Sequence, residues 1–233
     1  MKCVDLTPIL EGKNDMDKEF WFRRWENNEL GFHNAEPHHY LRRFFALLQS
    51  RAGAAVFVPL CGKSPDLVWL REQGLKVVGV ELSRTAVEAF FRENDLAGEW
   101  TVMADMPCCC AEGYQLFCDD FFKLKKADLA GARAVFDRGA LVALPPEMRV
   151  RYAARLAALL PSGSRVFLVS YEYDQAETHG PPFAVTPEMI EALFADDFEI
   201  ERLVAEDALR THQGLAARGV TRLTEFAVLL IRR

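Results

Sequence analysis

The sequence contains no apolar run of the ~18 residues that a membrane-spanning helix needs. Its N-terminal segment also lacks the long apolar core of a secretory signal peptide, so we expect a cytoplasmic chain. Basic residues are in deficit, since 28 Lys and Arg stand against 34 Asp and Glu, a formal net charge of -6. Because nucleic-acid phosphates call for a basic surface, we expect neither a nucleic-acid partner nor a membrane partner.

Cysteines are few, and none has the spacing of a metal site. Of six cysteines, three are consecutive at Cys108, Cys109 and Cys110. Neighbouring cysteines pair poorly in a disulfide, and no histidine or second cysteine pair stands at zinc-site spacing. We therefore expect reduced thiols in a reducing compartment, a cysteine-rich loop at the triplet, and no bound metal. We expect the adjacent His38 and His39 to be solvated.

Glycines are scarce in the loop after the first apolar run. AAVFVPL leads into CGKS, which ends like a phosphate-binding loop. The glycine that such a loop needs five positions before Gly62 is replaced by Phe57, and Pro59 removes a backbone N–H group. The G-x-G-x-x-G pattern of dinucleotide enzymes is absent too. The loop therefore favours a ligand without a triphosphate or pyrophosphate.

What the sequence does contain is an alternation of strands and helices. LKVVGVEL is a short apolar run typical of a buried strand. SPDLVWLREQG is a helix pattern in which Ser64 can cap and Pro65 suits the first position. The alternation predicts an α/β fold with a parallel sheet between helices, and the two last strands predict an antiparallel edge pairing. We expect one domain over residues 1–233, with residues 1–40 as an extension covering the site.

One acidic residue stands where a ribose could bind. Glu81 ends the second strand, nineteen positions after Gly62. Ligands of such sheets bind beyond the carboxyl ends of the strands, where a carboxylate can accept hydrogen bonds from ribose hydroxyls. Without the glycines for a pyrophosphate, S-adenosylmethionine is favoured, and a nicotinamide oxidoreductase stays as an alternative. The alternative role of Glu81 is that of an ordinary acid at a helix start.

Two further pairs of residues are candidates for cofactor contact. Asp120 and Phe121 follow the third strand, where a carboxylate and a ring could contact an adenine. Trp21 and Trp25 are four positions apart and so share one helical face. Core packing is the alternative role for Phe121 and for both tryptophans.

A charged pair, Asp137 and Arg138, follows the fourth strand and is expected over the reacting centre. Arg138 could hold a carboxylate or stabilise a developing thiolate. The alternative is a structural ion pair between the two side chains.

The sequence resembles the thiopurine S-methyltransferase family, above all its bacterial branch, in an ordered set of segments: FWFRRWENNELGFH, VPLCGKSPDLVWLREQG, VVGVELS, YQLFCDDFF, FDRGALVAL and GPPFAV. The resemblance runs from about Asp17 to the C-terminus. It implies a class I methyltransferase (Rossmann-like) fold with a mostly parallel seven-stranded sheet and helices on both faces. It implies methyl transfer from S-adenosylmethionine to an aromatic or heterocyclic thiol, with S-adenosylhomocysteine as product. Bacterial relatives are also associated with selenium and tellurium compounds.

The resemblance implies roles for individual residues. It implies cofactor contacts from seven of them: Trp21, Trp25, Leu60, Glu81, Asp120, Phe121 and Arg138. It assigns Phe32 and Arg138 to the acceptor, a small-molecule thiol or metalloid compound, with Arg138 as the catalytic residue. Relatives often carry an arginine near the position of Ala216, for which Arg210 or Arg218 could substitute. This departure leaves two alternatives, a non-catalytic S-adenosylmethionine-binding protein and a methyltransferase with a different small-molecule acceptor. A monomer is expected.

Overall fold

The structure, a computed structural model, describes residues 18–29 and 34–233. In this part of the chain nine strands form a single sheet. The strands are β1 (Ala55–Pro59), β2 (Lys76–Glu81), β3 (Glu99–Met103), β4 (Met106–Ala111), β5 (Tyr114–Cys118), β6 (Ala134–Arg138), β7 (Arg165–Glu172), β8 (Phe198–Asp207) and β9 (Thr224–Arg232).

Seven α-helices are present in the described residues: α1 (Lys18–Glu26), α2 (His39–Phe44), α3 (Pro65–Glu72), α4 (Arg84–Glu93), α5 (Pro146–Leu159), α6 (Pro187–Phe194) and α7 (Gln213–Ala217). Short 3₁₀ turns cover Phe45–Leu48, Phe121–Lys123, Lys126–Leu129, Leu141–Ala143 and Gln175–Glu177. Within the described ranges, every helix is too short or too polar to cross a bilayer.

The centre of the sheet is parallel and its two edges are antiparallel. Strands β5, β2, β1, β6 and β7 lie side by side in that order and run in parallel. The hairpin of β3 and β4 extends one edge, and β9 and β8 extend the other. The predicted antiparallel pairing of the last two strands is therefore present. The parallel strands end at one edge, and a ligand of such a sheet binds there.

The predicted number of seven strands is wrong, because the β3–β4 hairpin adds two. The cysteine triplet lies in β4 and not in a loop. Its side chains alternate across the sheet, so that Cys108 packs in one core cluster and Cys109 in the other. A run of three cysteines carries no turn signal of its own, and each thiol here behaves as a small apolar side chain.

Helices cover both faces of the sheet, and each face has its own core. Along β1, Phe57 packs on one face while Val56 and Val58 pack on the other, which is the period of a strand. Helices α5 and α6 contribute to the first core, and α2, α3 and α4 contribute to the second. The predicted Ser64 cap is present, since its hydroxyl accepts the Asp66 N–H at 3.2 Å.

Candidate functional site

A cavity of about 550 Å³ lies at the carboxyl ends of the parallel strands. That volume suits a small-molecule ligand. All seven predicted cofactor residues line it: Trp21, Trp25, Leu60, Glu81, Asp120, Phe121 and Arg138. The predicted acceptor residue Phe32 lies outside the described residues.

The turn after β1 is held by the carboxylate that ends β2. Leu60 and Gly62 both adopt left-handed backbone conformations, with φ of 46° and 53°. The Gly62 N–H donates to Glu81 Oε2 at 2.9 Å, and the Ser83 N–H donates to Glu81 Oε1 at 2.8 Å. Each carboxylate oxygen keeps a lone pair for a further hydrogen bond. Two ligand hydroxyls could therefore bind to a carboxylate that is already oriented.

Burial affects the charge of Glu81 as well as its position. Desolvation raises the pKa of this carboxyl above its ordinary value, and the backbone N–H groups of Ser83 and Gly62 oppose the rise. The side chain is only 7% exposed. A ligand hydroxyl that donates to the carboxylate would favour the charged form further.

Helix α1, part of the predicted N-terminal extension, lies against this end of the cavity. A Cβ atom added to Gly62 would stand 3.1 Å from Trp25 Cζ2, so the Trp25 ring would have to shift by a few tenths of an ångström to accept it. From the first turn of α1, the Lys18 ammonium pairs with Asp120 at 3.0 Å. The lining of the cavity thus combines a short helix with loops from distant parts of the sheet.

The two candidates after β5 have different surroundings. Asp120 Oδ1 accepts the Phe122 N–H at 2.9 Å and begins a 3₁₀ turn, while Oδ2 binds Lys18. Phe121 is buried and packs on Tyr152 with ring centroids 4.8 Å apart. Phe121 therefore combines the core role that was the alternative for it with a face on the cavity.

The structure separates Asp137 from Arg138. Successive residues of a strand point to opposite faces, and among the cavity-lining residues only Arg138 of this pair is found. Asp137 is fully buried, accepting the Tyr152 hydroxyl at 2.7 Å and the backbone N–H groups of Ala140 and Leu141 at 3.1 and 3.2 Å. The expectation that both charges lie over the reacting centre is wrong for Asp137. The alternative ion pair between them is absent from the described residues.

Burial disfavours the charged form of Asp137, while Arg138 has a hydrogen-bond donor without a partner among the described residues. Burial raises the pKa of Asp137 to about 6, against which its three hydrogen bonds act. The Arg138 Nε–H is buried and has no hydrogen-bond partner among the described residues. Because buried donors are nearly always paired, this guanidinium is available to a ligand in the cavity.

Sequence reasoning missed the side chains at the far end of the site. Tyr171 and His212 line the cavity there, and Glu225 lies behind them, 2% exposed. The expectation of a solvated His38 is wrong, since its buried ring donates from Nε2 to Glu225 Oε1 at 3.1 Å. These residues belong to separate segments of the chain and form no pattern in the sequence.

Side chains of this cluster that could each offer a donor atom lie close together. Donor atoms of His38, His39 and Glu225 lie within 4.8 Å of one another, the one such group found in the described ranges. His38 Nε2 already donates a hydrogen bond to the Glu225 carboxylate. Metal binding would therefore have to break an existing buried pair.

The structure distinguishes Arg210 from Arg218, the two arginines considered as substitutes for the one that relatives often carry near Ala216. Ala216 and Arg210 are exposed, and neither is among the cavity-lining residues. Arg218 does line the cavity, and its guanidinium donates to Thr178 Oγ1 at 3.1 Å and to the Pro181 carbonyl at 2.9 Å. Of the two arginines considered as substitutes, Arg218 is the one at the cavity.

Comparison with known proteins gives a consistent picture. A family profile described as thiopurine S-methyltransferase (TPMT) matches residues 16–233. A thiopurine S-methyltransferase of Nitrosospira multiformis is 47% identical over 218 residues, which cover 94% of this chain and 99% of the relative. One of Pseudomonas aeruginosa is 46% identical over 217 residues, which cover 93% and 100%.

Solved structures of more distant proteins share the fold. A Burkholderia thailandensis 1,6-didemethyltoxoflavin-N1-methyltransferase superposes with a TM-score of 0.60 and 18% identity, covering 98% of this chain and 94% of that protein. A SAM-dependent methyltransferase from Anabaena variabilis gives 0.61 and 17%, covering 93% and 95%. The predicted α/β class I methyltransferase fold is confirmed, with nine strands instead of seven.

Proposed function

The chain belongs to the thiopurine S-methyltransferase family and is an S-adenosylmethionine-dependent S-methyltransferase, and we propose that its acceptors are aromatic or heterocyclic thiols. The observation that carries the proposal is the continuous cavity. It joins an oriented carboxylate, Glu81, to an arginine with an unused donor, Arg138, and then to a largely apolar end. A methyl donor and a flat acceptor could meet between the two ends.

At the cofactor end, each part of S-adenosylmethionine would have its own contacts. Glu81 would accept both ribose hydroxyls, and Asp120 and Phe121 would contact the adenine. Trp21 and Trp25 would cover the sulfonium, whose positive charge is attracted to aromatic faces. The backbone of Leu60, in its left-handed turn, would contact the amino-acid part of the cofactor. The product S-adenosylhomocysteine would occupy the same contacts.

The acceptor end would bind a thiol next to the methyl group. Leu144, Met148 and Pro182 give it an apolar lining, and we include Phe32 as an acceptor contact. Methyl transfer is an in-line displacement from a sulfonium, so the leaving thioether is neutral and needs no acid. Positioning alone can contribute up to ~7–11 kcal/mol for a well-oriented pair. Arg138 would favour the thiolate through its positive charge.

The same displacement extends to related acceptors. Selenium and tellurium compounds are softer nucleophiles than thiols and would use the same in-line geometry, so they belong to the proposed range. We include a monomer in the proposal. The five described cysteines are free thiols, which fits action in the reducing cytoplasm.

The first experiment is a calorimetric titration of the folded protein with S-adenosylhomocysteine, followed by methyl transfer from S-adenosylmethionine to a panel of thiopurines and thiophenols. One-site binding with turnover of aromatic thiols supports the proposal. Binding without turnover of any acceptor would favour a non-catalytic S-adenosylmethionine-binding protein, and binding of NADH instead would favour an oxidoreductase.

The role of Arg138 has its own test. Replacing Arg138 by Ala should reduce turnover more at low pH than at high pH, because the thiolate then loses its electrostatic stabilisation and forms less readily at low pH. Arg138→Lys keeps the charge and should retain the wild-type pH profile at a lower rate. A loss in Arg138→Ala that is equal at every pH would contradict electrostatic stabilisation of the thiolate.

A further inference from the structure

Two strands bring a tyrosine and a glutamate together behind the acceptor end of the cavity. Tyr171 of β7 and Glu225 of β9 are direct partners in the antiparallel register, so their side chains share one face of the sheet. His212 approaches them from the residue just before α7. Tyr171 and His212 line the cavity, whereas Glu225 is sealed beneath them.

The hydrogen bonds define which atom of His212 is free to take a proton. Its Nδ1 lies 3.0 Å from the Ala208 carbonyl oxygen and 3.1 Å from Thr211 Oγ1, whose own hydrogen goes to that carbonyl at 2.9 Å, so both neighbours accept and Nδ1 carries the proton. Its Nε2 then presents a lone pair to the Tyr171 hydroxyl at 3.3 Å. The same Nε2 is 3.5 Å from Glu225 Oε1, close enough for an ion pair once the ring is charged.

Each partner has a protonation state suited to proton transfer. Burial raises the pKa of Tyr171 to about 12, so its hydroxyl stays protonated at neutral pH and can pass a proton on without ionising. Burial also raises the pKa of Glu225, but the hydrogen bond from His38 and the charges of His38 and His212 outweigh it, so the pKa lies below its ordinary value. A carboxylate anion is therefore in place to stabilise a histidinium.

Other charged groups face this cluster from the elements packed around it. They are Arg138 of β6, Asp66 of α3, Glu206 of β8, and His38 and His39 at the start of α2. His38 is occupied on both nitrogens, donating to Glu225 and accepting the Tyr40 N–H at 3.3 Å. Among the cluster's imidazoles, His212 is the one that lines the cavity, and its Nε2 keeps a lone pair toward the Tyr171 hydroxyl.

We propose that Tyr171, His212 and Glu225 form a relay that removes the proton of the acceptor thiol. This inference rests on the proposed function and adds a base to it. The acceptor S–H bond breaks as its proton moves to the Tyr171 oxygen, while the Tyr171 proton moves to His212 Nε2. The thiolate electron pair then forms the new S–CH₃ bond, and the sulfonium C–S bond breaks onto neutral S-adenosylhomocysteine. His212 returns the proton to water after the products leave.

The relay matters in proportion to how weakly acidic the acceptor is. A heteroaryl thiol that ionises near neutral pH arrives as the thiolate and needs no base. A thiol with a pKa like that of cysteine, ~8.5, is mostly protonated at neutral pH. The relay therefore widens the range of acceptors from acidic heteroaryl thiols to ordinary thiols.

The test measures kcat/KM at neutral pH for wild type and His212→Gln over substituted thiophenols and benzyl thiols of graded acidity. General-base catalysis contributes ~10²–10⁴-fold, so we expect a loss of about 10²-fold for the least acidic thiol and less than about threefold for the most acidic. The wild-type pH profile with a weakly acidic thiol should lose its acidic limb in the variant. His179→Gln removes an exposed histidine and should change neither result.

A second variant keeps the test decisive. Tyr171→Phe preserves the buried ring but cannot pass a proton, and it should show the same acidity-dependent loss. S-adenosylhomocysteine affinity should stay within about twofold of wild type in both variants, which shows that the fold and cofactor end are intact. A loss of equal size for every thiol would overturn the relay and leave His212 a structural role. No turnover by wild type on any thiol would instead remove the proposed function, and the relay with it.

Discussion

The two ends of the cavity are built in different ways. At the cofactor end, groups from neighbouring segments hold one another, as Glu81 holds Gly62 across 19 positions. At the acceptor end, side chains come from distant segments, as His38 and Glu225 do across 187 positions. The first end presents an oriented carboxylate and a fixed turn to a ligand. The second has an apolar lining backed by a buried network of charged and polar side chains, which only the complete fold brings together.

The largest expected effect follows from removing the carboxylate of the cofactor end. Two ribose hydrogen bonds to a charged group, at ~1.5–3 kcal/mol each, predict that Glu81→Gln weakens S-adenosylhomocysteine binding by roughly 10²–10⁴-fold. Calorimetry measures this, with Glu88→Gln as control because Glu88 is exposed and pairs with Arg84 at 2.7 Å. A loss below tenfold would mean that Glu81 serves the turn and not the ligand.

The difference between the two ends explains what the sequence could predict. Glu81 and Arg138 end their strands and Asp120 follows one closely, so strand patterns alone bring them to the ligand edge of the sheet. The strand count failed at Cys108–Cys110, where a largely buried strand was predicted as a cysteine-rich loop. Tyr171, His212 and Glu225 could not have been grouped, because only the pairing of β7 with β9 and the turn before α7 bring them together.

The next largest effect concerns the buried Asp137, which lies outside the cavity lining, and it is an effect on stability and not on affinity. Burial raises the pKa of Asp137 from 3.8 to about 6, so the folded state binds this proton more tightly than the unfolded state does. Its contribution to stability is therefore full below about pH 4 and is lost as pH rises through 6. At about 1.4 kcal/mol for each unit of pKa, the loss amounts to about 3 kcal/mol.

Asp137→Asn removes this titration while keeping an oxygen for the Ala140 and Leu141 N–H groups. Urea unfolding at several pH values should show the free energy of wild type falling by about 3 kcal/mol relative to the variant between pH 4 and pH 7. For Asp174→Asn, at an exposed 3₁₀ turn, the free energy of unfolding should change with pH as it does in wild type. A constant offset between wild type and Asp137→Asn would contradict a raised pKa.

A smaller effect is expected at the turn that Glu81 holds. Gly62→Ala adds a Cβ 3.1 Å from the Trp25 ring, at a φ of 53°. Gly131→Ala is the matched control, because its φ of 75° carries similar backbone strain of ~1–2 kcal/mol with nothing within 4 Å. Both variants should lose similar stability, but only Gly62→Ala should weaken S-adenosylhomocysteine binding, by about tenfold. If Gly62→Ala and Gly131→Ala bound S-adenosylhomocysteine with equal affinity, α1 would be able to shift without weakening the cofactor site.

The smallest effect tests how firmly α1 closes the cofactor end. The Lys18–Asp120 pair is partly exposed, with side chains 53% and 25% accessible, and such pairs contribute ~0–1 kcal/mol. Lys18→Ala should therefore weaken S-adenosylhomocysteine binding by less than about fivefold at low salt. The difference should vanish near 1 M salt, where the Debye length falls to ~3 Å. Arg43→Ala breaks a comparable exposed pair with Glu206, outside α1 and outside the cavity lining, and should leave affinity unchanged at both salt concentrations. A loss that persists at high salt would mean that the Lys18 side chain contacts the ligand itself, and the cofactor end would then also depend on a residue far from it in the sequence.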